Sequence, residues 1–146
     1  MEKNLYCEHS IIIDATPARI WHVLTDPDKI RVYMFGSEVD TNWNPGSAVT
    51  FSRKWDGLLF VDKGKILEYE PEKILKFSYW SSQEGYEDIP ENYSVITYSI
   101  RRKEDITCEF TYRRDKIPLE KERVNQEKYL PVLMGGIKKL AEGGHE

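Results

Sequence analysis

The sequence contains few of the residues that usually build metal or redox sites. Its 146 residues include 2 cysteines and 3 histidines. Cys7 and Cys108 lie far apart and form no CxxC pair, so we expect two buried thiols; a disulfide would require their strands to pair in the right register. His9, His22 and His145 lack the spacing of metal ligands, so we expect no metal and no cofactor.

Long apolar runs and an excess of positive charge are also missing. No run approaches the roughly 18 apolar residues of a membrane span, and the first residues lack the apolar core of a signal peptide. The net charge of −4 argues against nucleic acid as a partner, because phosphate binding needs a basic surface. The sequence therefore predicts a cytoplasmic protein with no membrane span and no bound nucleic acid, folded as a single domain over residues 1–146.

Motifs of enzymatic catalysis are absent from the chain as well. There is no GxSxG nucleophile turn, no P-loop and no GxGxxG sequence. The acidic residues Glu87, Asp88 and Glu91 belong to a polar stretch, and we expect a solvated loop. His9 shares a strand face with Ile11, so it is the histidine that could point inward. We assign no catalytic residue from the sequence.

The N-terminal segment, in contrast, carries clear start and stop signals. Residues 5–13 end in three isoleucines, which favour a strand. Thr16 precedes a proline and is a good N-cap for a helix over 17–25. Asp26-Pro27 stops that helix and begins a second one over 27–35.

Runs of strand-like sequence fill the middle of the chain. We predict strands over 37–41, 47–54, 58–69, 73–81, 92–103 and 106–114. Asp56-Gly57 separates two of them and is a strong hairpin signal, because a type I′ turn needs positive φ at both central positions. Hairpin spacing between successive strands indicates an antiparallel meander.

Helical periodicity returns in the last part of the chain, from Leu119 onward. Tyr129, Leu133 and Ile137 recur at helical spacing. Pro131 falls inside the pattern, so the helix either kinks there or has its regular part beginning near it. The charged stretch 120–123 is interpreted as a solvated face, with a partner surface as the alternative. This helix is the element long enough to cover the apolar face of the sheet.

The segment Ala15 to Pro27 resembles the SRPBCC superfamily, also called START or birch-allergen-like proteins. Its Ala-Thr-Pro, Ile-Trp and Leu-Thr-Asp-Pro sequences match the branch that resembles the C-terminal domain of the activator of the heat-shock chaperone ATPase. The hairpin around Asp56-Gly57, the stretch 64–71 and the closing helix fit the same branch. Tyr33-Met34 stands where the branch usually has Trp, and Pro131 interrupts its aromatic-rich last helix.

This resemblance implies an α+β helix-grip fold. In that fold a seven-stranded antiparallel sheet wraps around a long C-terminal helix, two short helices join strands 1 and 2, and a cavity lies between sheet and helix. Members of the superfamily bind lipids, sterols, polyketides and phenolics there, and a few catalyse cyclisation or hydrolysis. Candidate ligand-binding wall positions are Trp21, Phe77, Tyr79, Tyr98, Phe110, Tyr112, Tyr129, Leu133 and Ile137.

Three functions follow as expectations. The first is non-catalytic binding of a small hydrophobic molecule, with Tyr79, Tyr98 and Tyr112 either facing inward as polar anchors or lying at the rim with their hydroxyls in water. The second is a protein-interaction module with a chaperone or other protein as partner, which rests on fold-level analogy. The third is a cyclase or hydrolase, against which the lack of an inward histidine with a carboxylate partner argues.

Overall fold

The structure, a computed structural model, describes residues 5–143. The chain forms seven strands and three helices in the order that the sequence predicts. The strands are β1 (Leu5–Ile13), β2 (Glu38–Asp40), β3 (Ala48–Trp55), β4 (Leu58–Glu70), β5 (Ile74–Ser81), β6 (Ser94–Glu104) and β7 (Thr107–Ile117). The helices are α1 (Pro17–Thr25), α2 (Pro27–Tyr33) and α3 (Glu120–Gly143). A short 3₁₀ helix, Pro90–Asn92, interrupts the loop between β5 and β6.

All seven strands join one antiparallel sheet in the order β1-β7-β6-β5-β4-β3-β2. The chain therefore runs as a meander from β2 to β7, and β1 closes the far edge beside β7. The predicted α+β helix-grip fold is confirmed, with two short helices between the first two strands and the long α3 against the sheet.

Local sequence signals set the element boundaries as predicted. The Thr16 side chain accepts a hydrogen bond from the Arg19 amide at 3.2 Å, which caps α1. Asp56 and Gly57 both have positive φ, 52° and 79°, as a type I′ hairpin turn requires. Helix α2 is shorter than predicted because the chain leaves the helical conformation after it, with φ of 54° at Phe35 and 91° at Gly36.

The core lies between the inner face of the sheet and one side of α3. Alternate residues of β7 point inward, and Cys108, Phe110, Tyr112 and Arg114 are all buried. On α3 the buried positions include Leu130, Leu133 and Ile137. Helix α3 continues through Pro131, which is exposed to solvent. Among the described residues, no helix has the length and apolarity needed to cross a membrane.

Candidate ligand-binding cavity

A cavity of about 300 Å³ lies between the sheet and the first half of α3. Six of the nine predicted wall residues line it: Phe77, Tyr79, Tyr98, Tyr112, Tyr129 and Leu133. The first four project from β5, β6 and β7, and the last two share a face of α3 because they lie four residues apart. The order of the strands in the sheet and the periodicity of the helix therefore place these six side chains around the same cavity.

The other three predicted wall residues lie in the core, away from the cavity wall. The Trp21 ring packs edge-on against Tyr69 at 5.2 Å, and its indole N–H donates to the Tyr69 hydroxyl at 3.4 Å. Phe110 and Ile137 are fully buried. Sequence alternation identifies the inner faces correctly, but it carries no information on where along those faces sheet and helix separate.

Aromatic rings form a continuous inner wall. The centroid of Phe77 lies 5.8 Å from that of Phe51 and 5.9 Å from that of Tyr98. Tyr98 in turn lies 5.7 Å from Tyr112. Tyr98 and Tyr112 are buried, so both side chains face inward. Such ring pairs add rigidity beyond their burial, and the wall is therefore a firm apolar surface.

Tyr79 reaches a carboxylate rather than water. Its hydroxyl donates to Asp62 Oδ2 at 2.7 Å, and both residues line the cavity. Burial and the nearby Asp62 charge raise the pKa of Tyr79 well above its ordinary value. The second oxygen of the carboxylate, Oδ1, is buried and has no hydrogen-bond partner among the described residues. Asp62 thus depends on Tyr79 for much of its stabilisation.

A buried arginine organises the polar end of the cavity. Arg114 is 2% exposed. Its guanidinium donates to Ser94 Oγ at 2.8 Å and to Gln126 Oε1 at 2.6 Å. It also lies 3.4 Å from the carboxylate of Glu84 and 3.6 Å from that of Glu122. Arg114 therefore joins β7 to the loop after β5 and to the first turns of α3.

Glu84 has an unusual protonation state in this cluster. Burial and a hydrogen bond with the neighbouring Glu122 raise the pKa of Glu84 to about 8, and they outweigh the lowering effect of Arg114. Near neutral pH Glu84 therefore retains its proton. Because Glu84 is protonated, its 3.4 Å contact with Arg114 is a hydrogen bond to a neutral carboxyl group and not a full ion pair.

The sequence reasoning missed the charged residues around the cavity, namely Arg53, Asp62, Glu84, Arg114 and Glu122. Strand alternation was the signal that could have found Arg114, because it places this residue on the same face as Tyr112. Glu122 lies in the stretch that was interpreted as a solvated face, yet its side chain is only 15% exposed. The predicted solvation of Glu87, Asp88 and Glu91 is confirmed, since all three are exposed.

Among the described residues, no histidine or cysteine lines the cavity. His9 is exposed on β1 and His22 has a side chain that is 60% exposed, while His145 lies outside the described residues. Cys7 and Cys108 are buried free thiols. Cys7 lies opposite Arg114 and Cys108 opposite Ile13, so the register keeps them apart. Within residues 5–143 no cluster of three or more His, Cys, Asp or Glu side chains could hold a metal ion.

Comparison with solved structures places this fold among bacterial proteins. ChR145 from Cytophaga hutchinsonii is 32% identical, with a TM-score of 0.83 over 99% of this chain and 98% of that one. The Aha1 dimer from Colwellia psychrerythraea is 16% identical, with a TM-score of 0.71 over 97% and 99%. The protein EF2215 from Enterococcus faecalis is 14% identical, with a TM-score of 0.74 over 100% and 76%. No curated protein matches the chain.

Family membership follows from the sequence match and from the first of these structures. The pattern of the family described as "Activator of Hsp90 ATPase homolog 1-like protein" matches residues 14–142, which include the N-terminal motif, strands β2 to β7 and nearly all of α3. This fold supports ligand binding or an Aha1-like role in general. The chain belongs to the Activator of Hsp90 ATPase homolog 1-like family, within the SRPBCC superfamily.

Proposed function

We propose that the protein binds a small hydrophobic molecule of the lipid, polyketide or phenolic class in this cavity. The observation that carries the proposal is the cavity of about 300 Å³ between the aromatic face of the sheet and α3. Binding sites for small molecules have volumes of about 300–1,000 Å³ and combine apolar walls with a few polar groups. The predicted wall residues Phe77, Tyr79, Tyr98, Tyr112, Tyr129 and Leu133 would contact the ligand.

We propose further that the ligand is bound without being transformed, in the cytoplasm. The charged groups near the cavity have hydrogen-bond partners within the protein: Asp62 bonds with Tyr79, Arg53 with Gln83, and Arg114 with Glu84. Groups paired in this way hold the wall in position, whereas an acid, base or nucleophile must reach the reacting atom.

Amide NMR titration with a library of lipids and phenolics tests this function. The expected result is a set of shifts at Phe77, Tyr98 and Leu133 with at least one compound. Leu133→Phe should weaken that binding, because the larger side chain fills the cavity. Val132→Phe is the matched control, since Val132 neighbours Leu133 but is 56% exposed. Shifts confined to the outer surface, or equal effects of the two variants, would contradict the proposal.

The family description favours a second candidate, a protein-interaction module whose partner is a chaperone. The tip of the β3–β4 hairpin exposes Trp55, Leu58 and Leu59, each more than 60% accessible. Stimulation of the ATPase of the cell's own Hsp90-type chaperone tests this candidate. It predicts stimulation by the wild type and less by Leu58→Ser; a protein that leaves the ATPase rate unchanged removes it from consideration.

A further inference from the structure

Two tyrosines stand side by side on the cavity wall. Tyr98 on β6 and Tyr112 on β7 are directly opposed in the sheet register, and both line the cavity. They are 4% and 2% exposed, so almost all of each side chain is shielded from outside water. Their rings are held by aromatic neighbours, Phe77 against Tyr98 and Tyr98 against Tyr112. Any group that they present to the cavity is therefore fixed in place.

The hydroxyls of these two tyrosines form no hydrogen bond to any residue that the structure describes. Other buried tyrosines in the protein do find partners. The Tyr33 hydroxyl donates to the Leu24 carbonyl at 2.9 Å, and that of Tyr79 donates to Asp62. Asp62 Oδ1 is the fully buried side-chain atom without a partner among the described residues, so both tyrosine hydroxyls remain accessible from the cavity. A ligand that displaces water there must offer them an acceptor, because buried polar groups are normally hydrogen-bonded. Burial raises the pKa of both tyrosines, so each keeps its proton and remains a donor.

Charges around the cavity are already balanced. Two arginines, Arg53 and Arg114, lie beside the carboxylates of Asp62 and Glu122 around the cavity, with Arg114 3.6 Å from Glu122, and burial raises the pKa of Glu84 to about 8. A ligand that carried a full charge into this space would leave it uncompensated and would lose its hydration. The balance therefore favours a neutral ligand, although two arginines lie nearby.

We propose that the hydroxyls of Tyr98 and Tyr112 donate hydrogen bonds to a carbonyl or hydroxyl oxygen of a neutral ligand with a compact ring system. This selectivity rests on the proposed function, since it concerns the same cavity. The aromatic wall and the small volume fit fused rings, and the paired hydroxyls fit an oxygen at the inner end. A pure hydrocarbon would leave both donors without a partner, and an aliphatic carboxylate would add a charge.

Three compounds with the same bicyclic skeleton test the proposal on the full-length protein: tetralin, 1-tetralone and tetralin-1-carboxylate. Affinities are measured by amide NMR titration at pH 7. We expect 1-tetralone to bind about tenfold more tightly than tetralin, because a buried donor left unpaired weakens binding by roughly this factor. The carboxylate should bind more weakly than the ketone. In the double variant Tyr98→Phe/Tyr112→Phe, the ketone should lose its advantage while tetralin binds as before.

Tyr33→Phe is the matched control. Tyr33 is equally buried, but its hydroxyl is bonded within the protein, so this variant should keep the preference for the ketone. Equal binding of tetralin and tetralone to the wild type would overturn the proposed selectivity and leave the cavity function intact. Tightest binding of the carboxylate would overturn it as well. If none of the three compounds shifts a cavity residue, the selectivity falls together with the proposed binding of such rings.

Discussion

At the scale of single residues, the wall of the cavity is held by hydrogen bonds to buried charges. The Asp62 carboxylate has one protein donor, the Tyr79 hydroxyl at 2.7 Å, and its other oxygen is buried without a partner among the described residues. A second Tyr–Asp hydrogen bond, between Tyr93 and Asp88 at 2.5 Å, lies on the surface. Both pairs contain a Tyr–Asp hydrogen bond, but Asp88 is exposed and also forms an ion pair with Lys63 at 2.5 Å, so it keeps a partner when Tyr93 is changed.

Tyr79→Phe should lower the free energy of unfolding by about 1–3 kcal/mol, because it leaves a buried carboxylate without its donor. Tyr93→Phe should change it by less than about 0.5 kcal/mol, because water can replace the lost donor at a surface site. Urea denaturation of the two variants and the wild type measures both values. If Tyr93→Phe lowers the free energy of unfolding as much as Tyr79→Phe does, burial does not set the strength of these hydrogen bonds.

Glu84 should make stability depend on pH in an unusual direction. Its pKa is about 8 in the folded protein and near 4.5 in the unfolded chain. Between these values the folded state holds a proton that the unfolded state has released, so raising the pH favours unfolding. The stabilising contribution is complete below pH 4.5, is lost progressively up to about pH 8 and stays constant above it.

Glu84→Gln keeps a neutral side chain at every pH and removes this dependence. Relative to the variant, the wild type should lose about 1–3 kcal/mol of unfolding free energy between pH 5 and pH 8, since one pKa unit corresponds to about 1.4 kcal/mol and solvent screens part of the shift. Denaturant titrations at pH 5, 6.5 and 8 give the difference. If the difference in unfolding free energy between wild type and variant stays constant, or if the wild type gains stability relative to the variant as the pH rises, Glu84 is ionised in the folded state.

At the scale of elements, the close approach of β4 and β5 behind the cavity depends on a glycine. A Cβ at Gly64 would lie 1.7 Å from the Ser78 carbonyl oxygen of β5. A hydrogen bond also joins the two strands there, because the Lys65 amide donates to Ser78 Oγ at 2.9 Å. Gly64 therefore lets the strands approach one another two residues from Asp62.

Gly64→Ala should destabilise the protein by about 1–3 kcal/mol or more, because the added methyl forces the strands apart. Gly135→Ala is the matched control, since nothing lies within 4 Å of a Cβ at this position of α3. That variant should stabilise the protein by about 0.5–1 kcal/mol through helix propensity. Thermal unfolding of both variants measures the two changes in stability. If Gly64→Ala leaves the stability unchanged, the strands can separate without an energetic cost.

Element positions could be predicted closely from local sequence signals. Thr16-Pro17 begins α1, Asp56-Gly57 turns the β3–β4 hairpin, and the order of elements follows from hairpin spacing. Strand β7 continues to Ile117, three residues beyond the predicted end, because the charged run 113–116 resembles a turn. The last residues belong to the strand because Asp115 pairs with Val95 of β6 and Ile117 with Leu5 of β1, and no local pattern contains these distant pairings.

At the scale of the whole molecule, the cavity is where the prediction from sequence was incomplete. Periodicity identified aromatic residues on inner faces, and five of them meet with Leu133 at one space. The polar end combines Glu84, Arg114 and Glu122, which come from a loop, a strand and a helix. Such a cluster is formed by tertiary packing, since its members are buried, and the pKa of Glu84 is raised, only when the three elements meet.

The central claim is that a small molecule occupies the space between the sheet and α3. Intermolecular NOEs between 1-tetralone and the methyl-labelled protein test it most directly. Leu133 and Ile96 line the cavity, whereas Leu58 and Leu59 are exposed at the hairpin tip. The account predicts NOEs from the ligand to the methyls of Leu133 and Ile96. NOEs to Leu58 and Leu59 instead, with none to the cavity methyls, would contradict it.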